Sequence, residues 1–154
     1  MADLRLRPRP ELDHYEVMED FTVSVLGKVF AVPAGFHYDG ASIPAVAWQA
    51  IYTPFSPDVM GAALVHDWLY HAHEDQDDAD SGMRTEADEI FYQVLLADHV
   101  RSGKAKLMWT AVRTFGGEYW TNDERDKELI RALYRRHRDN PNRGSFGFPS
   151  WARV

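Results

Sequence analysis

The feature that most constrains this chain is the run Ala62-Ala63-Leu64-Val65-His66-Asp67-Trp68-Leu69-Tyr70. As a helix it is apolar on nearly every side, and a helix apolar all round is a buried one. Two polar residues, His66 and Asp67, lie in its middle. Buried groups of that kind need partners, because an unpaired one carries a large desolvation cost. His66 and Tyr70 are four apart and share a face, while Asp67 points about a quarter-turn away. One buried helix therefore offers a base, a carboxylate and a phenol within a small arc.

The sequence on either side sets the limits of that helix. Ser56 is a plausible N-cap, Pro57 suits the first helical position and Asp58 the first turn, so the helix is expected over 57–72. Before it, Phe21, Val23 and Val25 alternate with Thr22 and Ser24, the period of a half-buried strand. A turn at Gly27-Lys28 and a return strand Val29 to Val32 follow, within a β pattern that starts at His14. Residues 1–13 carry Pro8 and Pro10 between Leu4, Leu6 and three arginines, which reads as an extended arm or edge segment. Asp39-Gly40 is a turn signal, and Ser42 with Pro44 opens a short helix toward Ile51.

Beyond the central helix, Glu74 to Gly82 is an acidic loop whose Gly and Glu miss the EF-hand offsets. A second helix is expected over 84–101, with Ala87, Ile90, Phe91, Val94 and Leu95 on one face. A third, over 104–116, has the stripe Leu107, Met108, Ala111, Val112 and Phe115, and Gly116-Gly117 stops it. Thr121 with Glu124 resembles a capping box that opens a basic helix over 121–139. The aromatic segment 140–154, with Phe146, Phe148 and Trp151, is too apolar for a free linker and is expected to pack as an arm. The expected fold class is therefore α+β. A small N-terminal antiparallel hairpin or sheet precedes about four helices, packed around the central His-Asp helix. Residues 1–154 form a single domain: arm 1–13, core 14–120, basic helix 121–139 and arm 140–154.

Composition narrows the function classes. With 154 residues, 45% of them hydrophobic, the chain can build one proper core. There is no Cys, so disulfides and thiolate metal sites are excluded. No apolar run approaches the ~20 residues of a membrane span, and the first residues show no signal-peptide core. A location in the host cytoplasm or a virion is expected. The net charge of −7 argues against nucleic acid as a partner. P-loop, dinucleotide and nucleophile-elbow motifs are absent.

Three blocks then carry a resemblance: Gly35-Phe36-x-x-Asp39-Gly40-Ala41-Ser42-x-Pro44, His66-Asp67-x-Leu69-Tyr70 and Arg84-x-x-Ala87-Asp88-x-x-Phe91. Together with Ala111-Val112-Arg113-x-Phe115-Gly116 and Trp120, they resemble a family of uncharacterised bacteriophage and prophage proteins, known as a domain of unknown function. The resemblance implies phage origin and brings no activity. A narrower one covers the central helix. His-Asp-x-x-Tyr, with an Asp on the following helix, is similar to the core of secreted phospholipase A2. In that family the His is the general base toward water, the next residue binds calcium, and the Tyr and the facing Asp orient the His. Carried over by position, the catalytic set is His66, Tyr70 and Asp88. The calcium set is Asp67, with Asp39 and Gly40 standing in for the family's glycine-rich loop, which is missing here along with its cysteines.

Two functions follow. One is a phage-encoded, calcium-dependent hydrolase of lipids or esters. The other is a non-catalytic tail or baseplate component, in which His66-Asp67 is a structural pair and the terminal arms bind other phage proteins. Each residue also has a plainer reading. Asp39 can be a turn residue, and Asp88 can pair with Arg84 one turn away as a surface contact. A His-Asp metal phosphohydrolase needs an upstream helical His, and His37 lies in a loop.

Overall fold

A computed structural model describes residues 4–10, 14–38, 57–71, 82–120 and Ala132. Among the described residues five short strands come first: β1 (Leu6–Arg9), β2 (His14–Val17), β3 (Phe21–Val25), β4 (Lys28–Val32) and β5 (His37–Tyr38). They form two sheets rather than one. β1, β2 and β5 make an antiparallel sheet with β2 in the centre, and β3 pairs with β4. The proline-bearing β1 is an edge strand, where a missing N–H donor is tolerated. The β3–β4 turn is Leu26-Gly27, one residue earlier than Gly27-Lys28. Both residues have positive φ, 53° and 69°, as the tightest hairpin turns require.

Three α-helices follow among the described residues: α1 (Pro57–His71), α2 (Gly82–Ala97) and α3 (Ser102–Phe115). This corrects the expectation of about four helices. After Phe115 the chain tightens into a 3₁₀ turn, Gly116–Tyr119, and Trp120 packs edge-on against Tyr70 at 5.0 Å. The basic segment 121–139, apart from Ala132, and the arm 140–154 lie outside the described residues, as do residues 1–3, the acidic stretch 72–81 and the whole span 39–56.

α1 is the hub. Every residue from Gly61 to Tyr70 is buried, the outcome that an all-round apolar helix imposes. α2 packs on α1 through Ala87, Ile90, Phe91, Val94 and Leu95. α2 stops sooner than the expected 101. His99 turns left-handed at φ 63°, and Val100 N–H reaches back to Leu95 O at 3.0 Å, an end geometry that satisfies the last carbonyls. α3 packs on α2 through a narrower stripe than its pattern indicates. Ala105, Met108 and Val112 are buried, whereas Leu107 and Phe115 are more than half exposed. The four-apart row Leu107, Ala111, Phe115 faces away from α2, and the row three and four apart wins the contact.

Candidate active site

The two polar residues in the middle of α1 are buried: His66 and Asp67 are each 3% exposed. α2 crosses their path and presents Asp88, which is fully buried. His66 Nε2 lies 2.7 Å from Asp88 Oδ1, and the Tyr70 hydroxyl donates to the same oxygen at 2.7 Å. The His66 ring lies 4.1 Å from the Tyr70 ring and 5.0 Å from the Phe91 ring between centroids, tilted against both. The structure thus brings together His66, Tyr70 and Asp88, from two helices and across a loop. Asp67 is buried on the same helix and has an interaction of its own. Asp39 and Gly40 lie outside the described residues.

Two arginines complete the knot. Arg113, near the end of α3, donates to Asp88 Oδ2 at 2.9 Å. Arg84, 4% exposed and one turn before Asp88, stands 3.8 Å from the same oxygen. It also donates to the Tyr70 hydroxyl and reaches the Arg113 carbonyl at 3.4 Å. The Arg84–Asp88 pair is therefore not a surface contact. It is buried, and it ties α2 to the end of α3.

Charge decides the protonation state. Burial pushes the Asp88 carboxyl up, but the bonds from His66, Tyr70 and Arg113 outweigh it, and the group is held below the usual carboxylate range. An ionised carboxylate only accepts hydrogen bonds. His66 must then donate through Nε2–H, which fixes the tautomer and leaves the Nδ1 lone pair as the basic position. Burial, followed by the Asp88 charge, pushes the Tyr70 phenol far up, so Tyr70 stays a donor. The arrangement is an imidazole whose Nε2–H faces an ionised carboxylate clamped at both of its oxygens.

The sequence reading missed Arg113, Gly116 and the inward role of Arg84. Arg113 and Gly116 stood in one of the recognised blocks, but an arginine at the border of an amphipathic helix reads as solvated. A cleft of about 610 Å³ opens elsewhere, between Thr22 to Val25 of β3, the start of α1 and the end of α2. Among the described residues no group of three His, Asp or Glu forms a metal-holding cluster.

Residues 15–112 match a family described as a protein of unknown function, DUF1353. The chain belongs to this family. Two Sinorhizobium fredii proteins are similar to it. Uncharacterized protein y4jT is 34% identical over 117 residues, covering 74% of this chain and 31% of that protein. Uncharacterized protein y4iH is 35% identical over 80 residues, covering 51% of this chain and 30% of that protein. The chain thus spans under a third of the length of either relative. No solved structure matches it. The DUF1353 segment contains His66, Tyr70, Arg84 and Asp88, and it ends at Val112, directly before Arg113.

Proposed function

We propose that the protein is a hydrolase in which His66 acts as general base on an attacking water, with lipids or other carboxylic esters as substrates. The observation that carries this reading is the 2.7 Å contact between His66 Nε2 and the ionised, buried Asp88. It leaves Nδ1 as the proton acceptor. As water oxygen bonds to the ester carbonyl carbon, its proton passes to Nδ1. The imidazolium that forms is stabilised by Asp88, whose charge Tyr70 and the arginines hold in place. The same proton then returns to the departing alkoxide as the carbon–oxygen ester bond breaks. In this reading Asp88 and Tyr70 orient the base.

Calcium belongs to the proposal through Asp67, with Asp39 and Gly40. When bound it would polarise the ester carbonyl. Asp67 is the single member of that set among the described residues, so no step above passes through the ion. Hydrolysis of phospholipid vesicles and short-chain esters, with calcium and with chelator, tests the proposal. Wild type should turn over, and His66→Asn should not while keeping its fold. Loss of the calcium effect on melting in Asp67→Asn would support the cation; an unchanged effect would remove Asp67 from it.

The burial of His66 and the two arginines on Asp88 favour a second reading, in which the knot is a polar core clamp of a phage or prophage structural protein. Stoichiometric presence in purified particles, with no ester turnover, would establish it over the first.

A further inference from the structure

The C-terminal end of α3 supplies two residues that act on the base without touching it. Asp88 has two oxygens with different loads. Oδ1 accepts from His66 and Tyr70, and Oδ2 accepts from Arg113. A carboxylate held at one oxygen can swing about its last bond; held at both, it is fixed in plane. The Arg113 backbone carbonyl in turn accepts from Arg84 at 3.4 Å, which ties this end of α3 to α2.

Gly116 is the second residue. Its backbone is ordinary right-handed helix, φ −68° and ψ −14°, which any residue adopts. The need for glycine is steric. A Cβ there would lie 2.6 Å from the Tyr70 hydroxyl oxygen and 3.4 Å from two ring carbons. Tyr70 cannot step aside, because His66 and Trp120 pack against its ring and Asp88 and Arg84 bind its oxygen. The missing side chain is the space in which the hydroxyl sits.

We infer that Arg113 and Gly116 are positioning residues for His66: Arg113 locks Asp88 through Oδ2, and Gly116 makes room for the Tyr70 hydroxyl on Oδ1. The inference rests on the hydrolase reading for its purpose and on the hydrogen-bond geometry for its substance. His66 then keeps one tautomer because Asp88 cannot turn.

The test is ¹⁵N NMR of the His66 ring nitrogens in the full chain, with melting temperature alongside. Wild type should show the Nε2–H tautomer alone. Arg113→Met and Gly116→Ala should each give a tautomer mixture and faster exchange of the ring proton, and Arg113→Lys should restore part of the wild-type signal. Gly116→Ala should lower the melting temperature markedly, and the loss should shrink in Gly116→Ala/Tyr70→Phe, where the colliding oxygen is gone. A wild-type ring signal in both single variants, or an equal Gly116→Ala penalty with and without the Tyr70 hydroxyl, would overturn the inference. If Arg113→Met does not fold, Arg113→Lys and the double variant still decide it. These readouts need no substrate, so failure of the ester assays would leave them standing, and their failure would not refute hydrolysis.

Discussion

α2 and its C-terminal end carry two carboxylates that burial treats alike and partners treat differently. Asp88 is fully enclosed, yet His66, Tyr70 and Arg113 hold it ionised below the usual range. Asp98 is half enclosed beside the large cleft, and burial, with Asp58 nearby, pushes it up to about 6. One of its oxygens, Oδ2, is buried with no hydrogen-bond partner among the described residues. The more deeply buried acid is the stronger one. Donors placed by three helices, and not depth, set the charge at this site.

The largest way to break that contrast is Asp88→Asn. It removes the anion and leaves the buried Arg84 and the half-buried Arg113 without their counter-charge. Breaking a buried pair from one side costs about 3–5 kcal/mol, so denaturant unfolding should show a loss of that size. Arg113→Met should cost less, about 2 kcal/mol by the same measurement, since one charge-assisted bond is lost and Arg113 is partly solvated. Tyr70→Phe should cost about 1 kcal/mol, because Asp88 Oδ1 keeps His66. Asp98→Asn should be the mildest, within about 0.5 kcal/mol at pH 5 and stabilising at pH 7, where the wild-type charge is poorly solvated.

The two acids also predict opposite pH behaviour. The folded Asp88 binds its proton less readily than the unfolded one, whose ordinary value is 3.8. Its contribution is therefore present above that value and is lost as pH falls further through the folded one. The folded Asp98 binds its proton more readily, so stability falls as pH rises from about 4 to about 6. Unfolding measured across pH 3–7 should lose the second slope in Asp98→Asn and keep the first.

Much of this site was open to sequence reasoning because it depends on local spacing. An all-round apolar helix must be buried, and His66 and Tyr70 must share its face. A second amphipathic helix with Asp88 on its border must meet them after a chain reversal. The roles proposed for these residues do not follow from spacing. What spacing hides is contact from the third helix. Arg113 reads as a solvated cation and Gly116 as a helix stop, until Tyr70 is seen to fill the space of a Cβ. The same limit applies to the fold. Alternation marks β2, β3 and β4 as strands, but which strand lies beside which depends on distant pairing, and Tyr15 meets Tyr38 rather than a residue of the next hairpin. The stripe on α3 was overestimated because Leu107 and Phe115 fit its period while lying beyond the reach of α2.

The most direct measurement of the central claim is a carboxyl ¹³C titration of the wild-type protein that resolves Asp88 and Asp98. Asp88 should stay ionised from pH 7 down to below the ordinary carboxylate value of 3.8, and Asp98 should titrate at about 6. An Asp88 that takes up its proton at or above the point where Asp98 does would contradict the account, since His66 would then face a neutral acid instead of the anion that fixes its tautomer.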